Sequence, residues 1–215
     1  MCLCITFWSV RIVLFVIEHL EPEISKWLYL EYKHASKIVG EDRLVFTNVK
    51  KEDVNILSNL GIVKSESFIE IFNQRKVVIL DPKAKERIKP EDLEKKEAII
   101  IGGILGDHPP RGRTRKLITL RAPEAAARNL GKGQFSIDGA VYIAKMICEG
   151  FRLEDIPIKR GLYIKINERA EVHLPYVYPL KDGKPVVSEE LLKYLVSEEI
   201  VKDKEKLLRG HIARS

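Results

Sequence analysis

The amino-acid sequence predicts an α/β protein in which a mainly parallel sheet carries helices on both faces. Short runs of aliphatic residues alternate with longer stretches of helical periodicity, and this order of strand then helix is typical of parallel sheets. The aliphatic runs are nearly continuous, as in strands that are covered on both faces. Ligands of such sheets bind beyond the carboxyl ends of the strands. A glycine-rich segment at 102–106 directly follows one of these runs.

The predicted strands are short apolar runs bounded by polar or turn-forming residues. They lie at 10–17, 44–49, 76–81, 98–101 and 117–120, with two further candidates at 163–166 and 172–174. The charged stretch at 82–96 is expected to be a surface loop or a short helix.

The predicted helices lie at 23–39, 53–60 and 137–150, and a last one begins at Glu189. Gly40 and Gly61 are expected to end the first two, because glycine readily takes the backbone conformation that closes a helix. Ser136 can cap the third helix, whose apolar residues recur on one face.

The size of the chain allows one domain, expected at 10–200, with an extension at 1–9 and a basic tail at 201–215. Its 215 residues are 45% hydrophobic and 32% charged, which is typical of a globular protein. Lysine and arginine exceed the acidic residues, 37 to 31, and give a formal net charge of +6. This charge suits an anionic partner such as RNA, although a solvated basic surface fits it equally well.

The three cysteines, Cys2, Cys4 and Cys148, complete neither a disulfide framework nor a tetrahedral metal site. We therefore expect a reducing, cytoplasmic location and no bound metal. The apolar stretch at 1–17 contains Arg11 and falls short of the ~20 apolar residues that span a bilayer. No membrane association is expected.

The segment at 102–111 reads Gly-Gly-Ile-Leu-Gly-Asp-His-Pro-Pro-Arg and follows the predicted strand 98–101. Glycines let a ligand lie against bare backbone, and the two prolines stiffen the exit of the turn. The glycine spacing is not that of a dinucleotide-binding fingerprint or a P-loop, so phosphate binding is disfavoured. A turn that is rich in glycine for steric reasons is the alternative interpretation.

A second glycine-rich segment, at 129–139, leads into the predicted helix 137–150. Asp138 lies in the first turn of that helix, where the helix dipole stabilises a negative charge whatever its function. Two such loops in this order favour a ligand site over two unrelated turns.

Three segments resemble one known family. They are FVIEH at 15–19, GGILGDHPPR at 102–111 and NLGKGQFSIDGAV at 129–141. Together they resemble a branch of the SPOUT methyltransferases described as predicted RNA methyltransferases, which has archaeal members and a eukaryotic member that acts on a ribosomal-protein arginine. The resemblance extends over about residues 13–180, and the segment at 102–111 is its most specific part.

The resemblance implies a C-terminal trefoil knot, which composition and periodicity do not indicate, and S-adenosylmethionine as the cofactor. It also implies RNA or a ribosomal protein as the methyl acceptor, and homodimers are common among SPOUT relatives. The implied cofactor-binding residues come from the two glycine-rich segments and from the exit of the predicted strand 117–120. They are Gly102, Gly103, Ile104, Leu105, Gly106, Leu120, Arg121, Ala122, Asn129, Leu130, Gly131 and Gln134.

The candidate catalytic residues are Glu18, Asp107 and Arg111. If the acceptor is an arginine guanidinium, whose pKa exceeds ~12, a carboxylate must orient it and help to remove a proton. Glu18 and Asp107 are placed where predicted strands end, although either could instead form a structural ion pair. If the acceptor is RNA, Arg111 and the nearby arginines would position phosphates. A non-catalytic RNA- or ribosome-binding module is the alternative function.

Overall fold

The computed structural model describes residues 13–106, 109–168, 170–200 and 203. The extension predicted at 1–9 and nearly all of the tail predicted at 201–215 lie outside the described residues.

Six strands form one parallel sheet, with the spatial order β3-β2-β1-β5-β4-β6. They are β1 Leu14–His19, β2 Leu44–Thr47, β3 Ile62–Val63, β4 Val77–Leu80, β5 Ala98–Gly103 and β6 Ala126–Arg128. The helices are α1 Lys26–Val39, α2 Val54–Leu57, α3 Phe68–Ile71, α4 Arg113–Leu117, α5 Ile137–Cys148 and α6 Glu189–Leu195. Ser136 caps α5 as predicted, since its hydroxyl accepts a hydrogen bond from the Gly139 N–H at 3.3 Å.

Both faces of the parallel sheet are covered by helices. Phe15 and Ile17 of β1 point into a core shared with α1 and α5. Val16, between them, points to the opposite face and packs in a core with Phe68 of α3 and Ile118, which directly follows α4. The predicted α/β fold, with a parallel sheet between helices, is therefore confirmed.

A second sheet is antiparallel and lies at the C-terminal end of the described chain. It consists of β7 Ile158–Asn167, β8 Ala170–Lys181 and β9 Lys184–Pro185, so the two strand candidates in this region belong to one long hairpin. Leu162 and Leu174 of this hairpin pack with Leu30 of α1 and with α6. An isolated bridge between Phe135 and Val177 connects β8 to the segment that precedes α5.

The strand predicted at 117–120 is wrong. Leu117 ends α4, and Thr119–Arg121 forms a 3-10 turn, with Ile118 buried between the two. A run as short as Leu-Ile-Thr-Leu cannot be distinguished from a buried helical turn by periodicity alone. The strand that extends the sheet is β6, whose sequence Ala-Ala-Arg has no β-branched residue to indicate it.

Within the described residues, none of the helices combines the length and the hydropathy that crossing a membrane requires. The same residues contain no cluster of three or more His, Cys, Asp or Glu side chains that could hold a metal ion.

Candidate functional site

A cleft lies at the carboxyl ends of β4 and β5, beside the loop that follows β6. One cavity within it encloses about 570 Å³ of empty space, part of it open to solvent. Its lining residues are Leu80, Asp81, Pro82, Ile101, Gly102, Ile104, Thr114, Leu130, Gly131, Gly133, Gln134, Phe135, Ser136, Ile137 and Ala140.

A second cavity, with about 720 Å³ of empty space that is also partly open to solvent, continues the first one. The two share Asp81, Pro82, Ile104, Thr114, Gly133 and Gln134. The second is bordered in addition by Lys83, Leu105 and the segment Pro110–Arg113. The cleft therefore has an inner part between glycine-rich loops and an outer part with a cationic rim.

The inner part of the cleft suits an uncharged ring and a ligand with hydrogen-bonding groups. Ile101, Ile104 and Leu130 supply apolar surface, and the glycines beside them leave peptide groups bare. Gly131 has a φ of +94°, and a Cβ added there would meet no described atom within 4 Å. This combination of apolar side chains and open backbone fits a nucleoside-containing cofactor such as S-adenosylmethionine.

Most of the residues implied to bind the cofactor lie along this cleft. Gly102, Ile104, Leu130, Gly131 and Gln134 line the inner cavity, and Leu105 lines the outer one. The side chain of Asn129 accepts a hydrogen bond from the Gly131 N–H at 2.8 Å and donates to the Ala84 and Glu86 carbonyls. Asn129 thus fixes the start of the second glycine-rich loop.

Two predicted glycines have a packing role. A Cβ on Gly103 would collide with the hydroxyl of Tyr32 and come within 2.8 Å of the Glu18 carbonyl oxygen. A Cβ on Gly106 would collide with Gln134 and lie 2.5 Å from the ring of Tyr176. Bare backbone is required at both positions because α1 and neighbouring side chains pack against it.

Leu120, Arg121 and Ala122 are not among the residues that line either cavity. They form the end of the 3-10 turn and its exit, where Ala122 is buried against the other face of the sheet. The third wall of the cleft is instead the exit of β4, Leu80–Pro82, which sequence reasoning missed. An Asp-Pro pair at the end of the predicted strand 76–81, formed by Asp81 and Pro82, was the available signal.

Asp81 anchors this third wall. Its Oδ1 accepts the Lys83 N–H at 2.8 Å, and its Oδ2 accepts the Thr119 hydroxyl at 2.9 Å. The guanidinium of Arg115 lies 3.5 Å from Oδ2, and the Asp81 side chain is fully buried. The carboxylate therefore holds the exit of β4 against α4 and the turn that follows it.

Glu18 lies in the core and is not among the residues that line either cavity. Its carboxylate accepts hydrogen bonds from the hydroxyls of Thr47 and Ser67, both at 2.5 Å, and from the Phe68 N–H at 3.0 Å. These contacts join the ends of β1 and β2 to the start of α3. They support a structural role for this residue.

Of the other two candidate catalytic residues, one borders the outer cavity and one falls outside the described residues. Arg111 is exposed and borders it. Asp107 falls outside the described residues, directly after the loop 102–106.

A buried acidic pair lies below the cleft, where α1 meets the start of α5. Glu31 accepts the Ile137 N–H at 2.9 Å and the Trp27 indole N–H at 2.7 Å. Asp138 accepts the Gly139 N–H at 2.8 Å and lies 2.7 Å from the His34 ring. Burial, followed by the nearby Asp138 charge, raises the pKa of Glu31 to about 8. A proton is therefore retained in this pair near neutral pH.

Comparison with known proteins identifies relatives over nearly the whole described chain. The family model described as "Protein arginine N-methyltransferase SFM1-like" matches residues 14–202. Protein arginine N-methyltransferase SFM1 of Saccharomyces cerevisiae is 32% identical over 195 residues, which cover 83% of this chain and 92% of the yeast protein.

Solved structures agree with this result. The yeast arginine methyltransferase SFM1 in complex with SAH is 29% identical, has a TM-score of 0.79, and covers 88% of this chain and 97% of its own. Its complex with SAM gives a TM-score of 0.78 at 29% identity, over 87% of this chain and 91% of the yeast chain. Trm10 from Thermococcus kodakaraensis shares the fold, with a TM-score of 0.54 at 19% identity over 66% of this chain and 96% of its own.

Proposed function

Because the chain belongs to the SFM1-like family of protein arginine N-methyltransferases, we propose that it transfers a methyl group from S-adenosylmethionine to an arginine side chain of a protein. The observation that carries this proposal is the cleft in which the glycine-rich loops 102–106 and 129–134 meet. The structural relatives that bind SAM and SAH have the same fold over most of this chain. The cofactor part of the proposal rests on both facts.

S-adenosylmethionine, when bound, supplies a methyl group that is already activated on a sulfonium. The protein then has to align the acceptor with that group. We assign the adenosine portion to the inner cavity, where Ile104 and Leu130 offer apolar surface and Gly131 leaves its peptide group open. The outer cavity, between Leu105 and Arg111, is the proposed acceptor side of the cleft.

The acceptor guanidinium requires a carboxylate, because its pKa exceeds ~12 and it must lose a proton as the new bond forms. We propose Asp107 for this task, since it directly follows the cleft-lining loop 102–106 in sequence. Glu18 is assigned a structural role instead, because its oxygens already accept three hydrogen bonds in the core. Arg111 is proposed to position the acceptor from the rim of the outer cavity.

A trefoil knot, a cytoplasmic location, a ribosomal protein as the acceptor and a homodimer remain predictions. The knot is supported by the sheet order, which places β4 between β5 and β6 although β5 lies between the other two in sequence. All three strands deliver the loops that follow them to one cleft, as a knotted cofactor site requires.

The test is methyl transfer from radiolabelled S-adenosylmethionine into an extract of ribosomes, divided between nuclease and protease treatment. Label that is lost with protease and recovered as methylarginine after hydrolysis is the expected result. Label that is lost with nuclease would make RNA the acceptor. Protein that binds RNA but neither binds S-adenosylhomocysteine nor transfers label would be a non-catalytic binding module, and the proposed function would be wrong.

A further inference from the structure

Glu21 and Arg113 together hold both polar groups of Leu105. The Leu105 N–H donates to Glu21 Oε1 at 2.9 Å, and Arg113 Nη1 donates to the same oxygen at 3.0 Å. Arg113 Nη2 also donates to the Leu105 carbonyl oxygen. The ion pair and the backbone of Leu105 therefore form a closed ring of hydrogen bonds.

This ring is partly shielded from water. The side chain of Glu21 is 15% exposed and that of Arg113 is 31% exposed. Hydrogen bonds to charged groups are stronger than neutral ones, and they are screened less where solvent is partly excluded. The contacts are therefore stronger than those of an ordinary surface ion pair.

Leu105 belongs to the segment that needs such support. β5 ends at Gly103, and residues 104–106 have neither helical nor strand structure. Leu105 lines the outer cavity, and its neighbour Ile104 lines both cavities. The carbonyl of Gly106 accepts the Tyr176 hydroxyl at 3.0 Å. Side chains from other elements thus fix a loop that has no regular backbone pairing of its own.

Helix α4 supplies the arginine of this ring and also supports the neighbouring loop. Arg115, two residues after Arg113, lies 3.5 Å from Asp81 at the exit of β4. Thr114, between the two arginines, lines both cavities. One short helix therefore contributes to the wall of the cleft and contacts the exits of both β4 and β5.

We infer that Glu21 and Arg113 are positioning residues that fix Leu105 and thereby hold its neighbour Ile104, which lines the inner cavity, in its cofactor-binding conformation before the cofactor arrives. The inference rests on the proposed function, and it assigns neither residue a contact with the reacting atoms. Fixing a loop in its bound conformation lowers the entropy that binding would otherwise cost. Loss of the ring is expected to weaken cofactor binding more than it slows the chemical step.

The direction of the hydrogen bonds in the ring distinguishes a hold on the Leu105 peptide from a simple ion pair that joins two elements. Glu21 accepts from the N–H of Leu105, whereas Arg113 donates to its carbonyl oxygen. Exchange of the two charges, in Glu21→Arg/Arg113→Glu, restores an ion pair but presents each peptide group with the wrong partner. A tether between α4 and the end of β1 would be repaired by the exchange, and a grip on the Leu105 peptide would not.

The experiment compares Glu21→Ala, Arg113→Ala and the exchanged double variant with the wild type. The control is Arg75→Ala, which removes an exposed ion pair with Glu124 at 3.2 Å. Binding of S-adenosylhomocysteine is measured by calorimetry, and exchange of the Leu105 amide hydrogen is followed in the unliganded protein. KM for S-adenosylmethionine and kcat are measured separately.

We expect the single variants to raise the dissociation constant for S-adenosylhomocysteine by roughly tenfold or more, the effect of losing a charged hydrogen bond. KM should rise more than kcat falls, the Leu105 amide should exchange faster, and Arg75→Ala should match the wild type. The exchanged variant should bind as weakly as the single ones. If an alanine variant does not fold, Glu21→Gln and Arg113→Lys take its place, with a smaller change in the same direction.

The inference is overturned if both single variants bind within twofold of the wild type, or if the exchanged pair restores binding. Should the wild type bind no S-adenosylhomocysteine, the proposed function fails independently. Amide exchange at Leu105 then still reports on the ring. An unchanged exchange rate in both alanine variants would show that the ring does not hold the Leu105 peptide.

Discussion

Glu31 on α1 accepts a hydrogen bond from the N–H of Ile137, the first residue of α5, at 2.9 Å. The same Ile137 lines the inner cavity. A buried carboxyl group thus connects the floor of the cleft to the longest helix described, and its state of protonation affects the stability of that connection.

The first prediction concerns the pH dependence of stability. Burial and Asp138 raise the pKa of Glu31 to about 8, against 4.5 as its ordinary value. Between these values the folded protein retains a proton that the unfolded chain has lost. The free energy of unfolding should therefore fall as pH rises from about 4.5 to about 8, by at most about 1.4 kcal/mol per pH unit from this group.

The measurement is urea unfolding across this pH range in the wild type and in Glu31→Gln. Glutamine retains an acceptor for the Ile137 N–H but does not titrate, so its curve should be flatter. Because Asp138 interacts electrostatically with Glu31, the difference between the two curves reports on the acidic pair as a unit. Parallel curves would show that Glu31 is already ionised in the folded state.

The second prediction is that Gly103→Ala lowers stability. The added Cβ would collide with the hydroxyl of Tyr32, a fully buried residue of α1 whose side chain has little room to move. Overpacking of this kind costs about 1–3 kcal/mol. Thermal unfolding should show a lower Tm without cofactor. A variant with the wild-type Tm would mean that α1 does not pack against Gly103.

The third prediction is that Gly131→Val acts mainly on cofactor binding. Gly131 lines the inner cavity and a Cβ there would meet no described atom within 4 Å, so packing is not disturbed. Its φ of +94° adds a strain cost of about 1–3 kcal/mol. Binding of S-adenosylhomocysteine should be lost while the variant still folds cooperatively. Gly150→Val, also at positive φ and in open space, controls for the strain.

Much of the fold follows from the sequence because its strands are aliphatic runs. Residues 98–101 are Ala-Ile-Ile-Ile and could hardly be anything but a buried strand. The edge strand β6 escapes prediction because Ala126–Arg128 owes its structure to backbone pairing with β4 rather than to its own side chains. Local sequence does not record that pairing.

The candidate site, like the fold, is only partly predictable from the sequence. The loops at 102–106 and 129–134 are recognisable because glycines mark close approach of backbone to other groups. The third wall, Leu80–Pro82, contains no glycine and joins the cleft only because β4 lies between β5 and β6 in the sheet. Glu18 shows the opposite case, since a carboxylate at a strand end suggested chemistry but lies among structural donors.

The fourth prediction therefore concerns Glu18. Glu18→Ala would leave the Ser67 hydroxyl and the Phe68 N–H without their acceptor, at a cost of about 1–3 kcal/mol for each group. The Thr47 hydroxyl would keep only its long contact of 3.5 Å to the Ile17 carbonyl oxygen. The Tm should fall by several degrees or the variant should not accumulate. Glu18→Gln should recover part of the stability, and its folded fraction should retain kcat within a few fold. A Glu18 variant with wild-type stability but without measurable kcat would show that Glu18 is a catalytic residue.

The fifth prediction assigns the acceptor carboxylate by kinetics. Asp107→Asn should leave the dissociation constant for S-adenosylhomocysteine within twofold of the wild type, because Ile104, Leu130 and Gly131, to which we assign the adenosine portion, are unchanged. Turnover should fall by about 10²-fold or more, the usual contribution of a positioned acid or base. Asp182→Asn, in the turn between β8 and β9, is a matched control at an exposed aspartate. A variant whose kcat is unchanged would show that another group orients the guanidinium, and a variant that loses cofactor binding would make Asp107 part of the cofactor site instead.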